Sequence, residues 1–349
     1  MRDVLPDIDR WRAKGVSIAV ATVIQTWGSA PRGVGARMAM TREGEIAGSV
    51  SGGCVEGAVY ESGMEVLKTG RPQLLHFGVA DDTAWEVGLA CGGIIEIFVE
   101  PLDSVWYETV RAALLSDKPA ATAVVLQGSD DLVGKSLTVL EGGELSGTMS
   151  LEMVAATASA AQDGLARGEP ARLTLAGPDS EARSLDVFVD VQLPAPKLVI
   201  VGGVHIAIAL AGLAKTLGYR TVLIDPRAAF GSEARFPHVD QLVQEWPDEA
   251  LTQVHLTRST AVAALTHDPK LDDPALLVAL TSPAFYVGAL GSLKTQTKRR
   301  QRLLEAGLTE TQLARLHGPI GLDLGARTPE EIALAIMGEI VECRNTRNR

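Results

Sequence analysis

Residues 198–225 read LVIVGGVHIAIALAGLAKTLGYRTVLID, and this stretch decides the fold class of the C-terminal half. The apolar run Leu198–Val201 is followed by a glycine turn, by helical spacing of apolar residues over Ile206–Leu217, and by a second apolar run over Thr221–Ile224. A buried strand, a tight turn, a helix and another buried strand form the unit from which parallel sheets are built. The pattern therefore predicts an α/β fold with a Rossmann-like, doubly wound parallel sheet.

The same alternation continues towards the end of the chain. Apolar runs over Ala261–Leu265 and Phe285–Leu290 predict further strands. The segments Leu293–Leu304 and Pro329–Cys343 have the spacing of helices. The basic residues between Lys294 and Arg302 are typical of a solvated helix face, although the neighbouring Gly291-Ser292 leaves a phosphate role open.

A domain boundary is expected just before the parallel sheet. Pro194 and Pro196 stiffen the backbone there, and a length of 349 residues suits two compact domains better than one. We therefore expect an N-terminal domain over residues 1–192 and a C-terminal domain over residues 197–349.

The N-terminal domain is expected to be mixed α/β. Residues alternate over Val16–Ile24 as in a strand, and Ile94–Val99 has the composition of a buried strand. Apolar runs between Ala121 and Met149, broken by glycine-containing turns, predict antiparallel hairpins. Apolar residues from Val55 to Leu67 mark one face of a helix.

Composition and charge exclude several classes of protein. An apolar fraction of 46% with 21% charged residues excludes intrinsic disorder. The net charge of −11 repels phosphate backbones and anionic lipids, so no nucleic-acid or membrane partner is expected. We find no apolar stretch of membrane-spanning length and no basic, apolar signal peptide, which predicts a cytoplasmic location. Three scattered cysteines suit a reducing compartment.

The glycine turn of the parallel sheet is one candidate site. Gly202 and Ala207 match the dinucleotide pattern G-x-G-x-x-G/A, but Val204 replaces its middle glycine. Asp225 ends the second strand, where an acidic residue would bind a ribose hydroxyl, and His205 lies at the start of the helix. A nucleotide site and a Rossmann-like scaffold without hydride chemistry both fit this incomplete pattern.

Ser51-Gly52-Gly53-Cys54 is the segment richest in chemistry. If Ser51 caps the following helix, the next three residues form its first turn, whose free N–H groups attract anions and favour a thiolate. Cys91-Gly92-Gly93 presents a second thiol. Neither cysteine belongs to a C-x-x-C pair, so zinc is not expected. Two alternatives remain open, namely small buried cysteines and a cysteine hydrolase with a nucleophile elbow at Cys54.

These residues resemble the XdhC/CoxI family of xanthine dehydrogenase accessory factors. The segments that carry the resemblance are Gly28–Arg32, Gly35–Met38, Gly48–Glu56, Cys91–Gly93, Gly202–His205, Asp225–Arg227, Tyr286–Ser292, His317–Asp323 and Thr328–Ala333. The resemblance as a whole spans both expected domains, from about residue 16 to residue 342. The sequence departs from the family at Val204, where members more often have glycine, and nucleotide binding by the C-terminal domain is correspondingly doubtful.

The resemblance implies a protein that matures molybdenum hydroxylases. It would bind the molybdenum cofactor in its molybdopterin form, hold it while a cysteine desulfurase supplies the sulfido ligand, and deliver it to a hydroxylase client. Cys54 and Cys91 would contact molybdenum or sulfur in transit. The candidate cofactor-binding residues are Gly28, Ser29, Arg32, Ser51, Gly52, Gly53, Cys54, Cys91, Gly92, Gly202, His205, Asp225 and Ser292.

The resemblance favours a chaperone without turnover over an enzyme. A homodimer is the expected assembly, and the N-terminal domain is the expected cofactor-binding domain. The alternative is an NAD(P)-dependent oxidoreductase built on the parallel sheet. A dehydrogenase needs an acid–base residue facing the nicotinamide, and no histidine or lysine identifies itself by its spacing.

Overall fold

A computed structural model describes residues 1–28, 30, 32–53, 55–78, 93–177 and 184–346. The chain forms two compact units, Met1–Pro194 and Ala195–Arg349. The N-terminal unit is built from antiparallel sheets and the C-terminal unit from a parallel sheet. Within the described residues, no helix is both long and apolar enough to cross a membrane.

The first half of the N-terminal unit is an antiparallel sheet with a helix inserted between its third and fourth strands. Its strands pair in the order β3-β2-β1-β5-β4. Val59 and Val66 of the inserted helix are buried against this sheet, which explains the apolar face predicted there. The elements are α1 (Leu5–Ala13), β1 (Ile18–Trp27), β2 (Arg37–Thr41), β3 (Ile46–Gly48), α2 (Glu56–Thr69), β4 (Gln73–Phe77) and β5 (Ile94–Pro101).

The second half of this unit repeats the topology of the first. The strands pair in the order β8-β7-β6-β10-β9, and the helix α4 again lies between the third and fourth strands. Ile24 and Phe98 of the first sheet form one apolar cluster with Val124, Leu126 and Phe188 of the second. The elements are α3 (Ser104–Leu115), β6 (Ala120–Gln127), β7 (Ser136–Leu140), β8 (Leu145–Gly147), α4 (Leu151–Arg167), β9 (Ala171–Leu175) and β10 (Leu185–Gln192).

A buried ion pair connects the two sheets of the N-terminal unit. Arg37 Nη2 lies 2.5 Å from Asp190 Oδ2, and the two side chains are 3% and 5% exposed. Glu100 lines the same small cavity, where burial raises the pKa of its carboxyl to about 8 although the charge of Arg37 opposes this. Removing charges from water is costly, so this polar cluster makes the packing of the two sheets sensitive to substitution and to pH.

The C-terminal unit confirms the predicted Rossmann-like sheet. All its strands are parallel and pair in the order β13-β12-β11-β14-β15-β16, the order 3-2-1-4-5-6 of dinucleotide-binding folds. The elements are β11 (Lys197–Val201), α5 (His205–Thr216), β12 (Arg220–Ile224), β13 (Gln241–Val243), α6 (Pro247–Gln253), β14 (Thr260–Ala264), α7 (Pro269–Thr281), β15 (Tyr286–Ala289), α8 (Leu293–Glu305), α9 (Glu310–Leu313), β16 (Leu316–His317) and α10 (Pro329–Thr346).

Helices cover both faces of this sheet. Val199 and Val201 point into the core formed with α6 and α7, whereas Leu198 and Ile200 point into the core formed with α5 and α10. Full burial of each such side chain contributes roughly 1.5–3 kcal/mol. Burial on both faces explains why β11 is a continuous apolar run rather than an alternating one.

Candidate functional site

The loop that connects β3 to α2 corrects one prediction from the sequence. The interpretation of Ser51 as the N-cap residue is wrong, because α2 begins at Glu56 and its N-cap residue is Val55. Gly52 and Gly53 have φ values of 79° and 120°, which a right-handed helix does not allow. These glycines therefore form a separate turn before the helix.

This turn, residues 49–53, surrounds the carboxylate of Glu56, and we name it the anion cradle. The backbone N–H groups of Ser51, Gly52 and Gly53 donate to the carboxylate at 2.9, 3.0 and 2.8 Å. The hydroxyl of Ser49 donates at 2.6 Å, and the Ser51 hydroxyl donates to the second oxygen. Successive N–H groups that converge in this way form a concave site for an anion.

The anion cradle strongly favours a negative charge. Burial alone would raise the pKa of Glu56, but the hydrogen bonds from Ser49 and Ser51 and from backbone N–H groups lower it to about 2. Glu56 also lies in the first turn of α2, where the helix dipole stabilises an anion. At neutral pH the loop therefore holds a fully ionised carboxylate of its own chain.

Arg32 lies against the anion cradle. Its Nε donates to the carbonyl oxygen of Ser49 at 3.2 Å, and its Nη2 lies 3.1 Å from Asp3 Oδ2. Arg32 thus contacts the cradle through Ser49, the residue at its start. Gly28 follows β1 with a φ of 69°.

The two candidate thiols of the N-terminal unit, Cys54 and Cys91, lie outside the described residues. The same holds for Ser29 and Gly92. Among the residues that are described, no three histidine, cysteine, aspartate or glutamate side chains are grouped so that they could hold a metal ion.

The other candidate residues lie at the carboxyl edge of the parallel sheet. Gly202 and His205 follow β11, Asp225 follows β12, and Ser292 follows β15. His205 is the exposed first residue of α5. Ser292 caps α8, and its hydroxyl accepts a hydrogen bond from the Thr295 N–H at 3.3 Å. Ligands of open α/β sheets bind at this edge.

Asp225 is already saturated with hydrogen bonds from its own chain. The Gly203 N–H donates to Oδ2 at 2.7 Å, and Arg227 donates through its backbone N–H, Nε and Nη2 at 2.9, 2.9 and 2.7 Å. Burial raises the pKa of Asp225, but these donors outweigh it and hold the pKa below its ordinary value. A Cβ atom on Gly203 would lie 2.3 Å from the Phe230 carbonyl oxygen, so another chain segment packs closely on the turn.

Two family models match the chain over regions that contain these loops. Residues 11–78 match the XdhC and CoxI family, and residues 198–340 match the XdhC Rossmann domain. The chain belongs to the XdhC/CoxI family. The anion cradle and Arg32 lie inside the first match, and Asp225 and Ser292 lie inside the second.

Relatives of this XdhC/CoxI chain match over nearly its full length. A probable xanthine dehydrogenase subunit of Bacillus subtilis is 28% identical over 334 residues, covering 93% of this chain and 92% of the relative. The molybdenum cofactor insertion chaperone PaoD of Escherichia coli is 26% identical over 339 residues, covering 95% and 84%. The crystal structure of a xanthine dehydrogenase from Bacillus halodurans has the same fold, with a TM-score of 0.76 at 23% identity and coverage of 98% and 96%.

Sequence reasoning missed several polar residues that the fold brings together. Arg299 belongs to the basic run expected to be solvated, yet it is 2% exposed and lies 3.0 Å from the buried Asp272. Glu339 accepts hydrogen bonds from Tyr286 at 2.5 Å and from the Gly321 N–H at 2.8 Å. These partners are separated by 18 to 53 positions along the chain, and no local spacing signals such pairs.

Proposed function

We propose that this protein binds the molybdenum cofactor, protects it, supports its sulfuration and delivers it to a xanthine dehydrogenase-type molybdenum hydroxylase. Two facts about relatives support the proposal, namely the family membership and the similarity to a chaperone named for molybdenum cofactor insertion. The observation that carries it is the anion cradle, because the molybdopterin form of the cofactor ends in a phosphate. Three consecutive N–H groups and two hydroxyls suit such a group.

The residues of the cradle fit a phosphate by their donor chemistry. The N–H groups of residues 51–53 and the hydroxyls of Ser49 and Ser51 would hold its oxygens, and Arg32 adds a positive charge beside them. When bound, the cofactor supplies the molybdenum that the client hydroxylase uses for redox chemistry. Cys54 and Cys91 are proposed as soft contacts to molybdenum or to sulfur in transit.

Glu56 gives the cradle a means of release. Its carboxylate occupies the donors that a phosphate would need, so binding requires Glu56 to leave and release allows it to return. A carrier benefits from such an exchange, because the donors stay satisfied after the cofactor has gone. The exchange also lowers net affinity, which suits a protein that must deliver what it binds.

The proposed partners are a molybdenum hydroxylase client and a cysteine desulfurase. The proposed assembly is a homodimer in the cytoplasm. The net charge of the chain is −11 at neutral pH, which is unfavourable for binding to nucleic acid or to anionic membrane surfaces.

The NAD(P)-dependent oxidoreductase is the weaker candidate. Asp225 would have to accept hydrogen bonds from a ribose, but Gly203 and Arg227 already provide its donors. The Gly203 N–H would be needed by the pyrophosphate, but its acceptor Asp225 is fully buried and paired with Arg227, so it is held in place more firmly than the partly exposed Glu56. We therefore do not include NAD(P) in the proposed function.

The proposal is tested by the pterin content of purified protein. Protein from a molybdenum-replete host should carry molybdopterin, measured by mass spectrometry of released small molecules, and should activate an apo-hydroxylase. Gly53→Ala should lower the content several-fold, because alanine strains the turn at a φ of 120°. Gly143→Ala is the matched control, since Gly143 also has a positive φ and open space around it but lies in the turn between β7 and β8.

Two results would contradict the proposal. One is wild-type protein that carries no pterin and activates no hydroxylase from such a host. The other is an equal loss of pterin in the Gly53 and Gly143 variants, because the cradle would then have no specific part in binding.

A further inference from the structure

A thiol, an imidazole and a carboxylate are aligned in the C-terminal unit, away from the glycine turn. Cys343 Sγ lies 3.8 Å from His317 Nε2, and His317 Nδ1 lies 3.0 Å from Glu339 Oε1. Glu339 and Cys343 are four residues apart on α10, so they share one face of the helix. This is the order nucleophile, base and orienting group that activates a thiol.

The imidazole is held in place from three sides. Its ring stacks on Tyr286 with centroids 4.6 Å apart, Glu339 binds one nitrogen, and Cys343 approaches the other. Glu339 is itself anchored by Tyr286 and by the Gly321 N–H. Burial raises the pKa of Glu339, but its hydrogen bonds lower it, and the bond from His317 contributes most. The pKa therefore stays below its ordinary value.

The thiol is reachable from solvent. Cys343 and His317 line an open pocket of about 300 Å³ whose other walls are Ala284, Phe285, Arg315 and Thr346. Arg315 directs its guanidinium N–H groups to the carbonyl oxygens of Leu280, Ser282 and Ala284, which fixes a positive charge at the pocket. A thiolate is favoured beside His⁺ and arginine, although the C-terminal end of α10 opposes it.

Other titratable groups on the neighbouring elements contact His317 or Glu339, or pack against other residues. Glu339 contacts the imidazole of His317, and Tyr286 donates to Glu339 and packs against the His317 ring. Arg344, next to Cys343, packs over the Tyr219 ring at 5.1 Å. His317 is therefore the group that directly takes the thiol proton.

We propose that Cys343 is a nucleophilic thiol that accepts a sulfane sulfur from a persulfide. Its thiolate attacks the outer sulfur of the donor, forming a new S–S bond at Cys343 as the S–S bond of the donor breaks. The donor leaves as a thiolate, and His317 returns to it the proton taken from Cys343. No oxidant or reductant is consumed, because one persulfide replaces another.

Sulfur transfer fits this pocket better than acyl transfer or metal binding. Acyl transfer needs N–H donors aimed at a developing oxyanion. The terminal N–H groups of Arg315 already donate to backbone carbonyl oxygens, so they do not provide such donors. Glu339 and Cys343 contact opposite nitrogens of one ring, so they cannot converge on one metal ion. A thiol that stores sulfur extends the proposed function, but the site requires no bound cofactor.

The test uses cofactor-free, full-length protein and glutathione persulfide as the probe. Peptide mass spectrometry should find one added sulfur atom on Cys343. Iodoacetamide should alkylate Cys343 at neutral pH at least tenfold faster in the wild type than in His317→Gln. Glu342→Gln, which alters an exposed carboxylate beside Cys343, is the matched control and should react like the wild type.

Three results would overturn the proposal. They are no added sulfur on Cys343, equal alkylation of His317→Gln and wild type, and a wild-type alkylation rate that follows pH as an ordinary thiol does. The last measurement needs no variant, so it holds even if His317→Gln fails to fold. Because the assay contains no molybdopterin, failure here is distinct from failure of the cofactor-binding proposal.

Discussion

Replacing Glu56 by glutamine measures how strongly the anion cradle holds a charge. The pKa of this carboxyl is about 2 in the folded protein, against an ordinary value of 4.5. A difference of about 2.5 units corresponds to ~3.4 kcal/mol of stabilisation at pH 7. Because Glu56 is only partly buried, solvent screening reduces this to roughly 1–2 kcal/mol.

The sign of the pH dependence follows from the lowered pKa of Glu56. An acid whose pKa is lower in the folded state stabilises the fold above the unfolded pKa, and this contribution is lost as the pH falls towards the folded pKa. The contribution is therefore complete above about pH 5 and falls by more than half at pH 3.

Urea unfolding at pH 7 and at pH 3 provides the assay. Glu56→Gln should lower the free energy of unfolding by about 1–2 kcal/mol at pH 7 and by less than half as much at pH 3. Glu61→Gln, an exposed position on the same helix α2, is the control and should change it by less than ~0.5 kcal/mol at both pH values. Equal effects of the two substitutions at pH 7, or a penalty for Glu56→Gln that does not change with pH, would refute the reasoning.

Three further predictions concern other polar groups. Asp190→Ala should cost ~3–5 kcal/mol in urea unfolding because it leaves the buried Arg37 unpaired, and a loss under 1 kcal/mol would contradict this. Glu100→Gln should stabilise the protein by roughly 2–4 kcal/mol at pH 8 and much less at pH 5. The reason is that the raised pKa makes ionisation of Glu100 costly in the folded state but not in the unfolded state. Thermal melts with no such pH trend would argue against this. Val204→Gly alone should not produce tight NAD or NADP binding by titration calorimetry, because the Gly203 N–H and Asp225 remain bound to each other, and a large gain would disprove that explanation.

The parallel sheet was the most predictable part of the fold. Strands buried on both faces are continuous apolar runs, and Leu198–Val201 and Thr221–Ile224 carry this signal without help from the rest of the chain. The repeated topology of the N-terminal unit was not predicted, because pairing order depends on long-range contacts. Thr22 of β1 pairs with Phe98, and Val124 of β6 pairs with Phe188, so Thr22 and Val124 occupy equivalent positions. Their residue types nevertheless differ, so the repeat is not visible in the sequence at this position.

The residue types of the anion cradle can be seen in the sequence, but their geometry cannot. Glycines at 52 and 53 indicated an anion site, yet the positive φ values that place them before the helix depend on their hydrogen bonds to Glu56. The pairing of His317 with Cys343 spans 26 positions and arises only when α10 packs beside β16. Such contacts are set by tertiary packing, which local periodicity does not encode.

The repeated topology shows where the anion cradle differs from its counterpart in the second half of the unit. Seven residues connect β3 to α2, but only three connect β8 to α4 at the equivalent place. The loops begin alike, since the Ser49 N–H bonds to the Arg37 carbonyl as the Thr148 N–H bonds to that of Ser136. The second half thus closes with a short connection, and the first half has four more residues at the same place on an equivalent framework. The pairing of the sheets therefore does not depend on the length of this connection, since the second half keeps the same strand order with the shorter one.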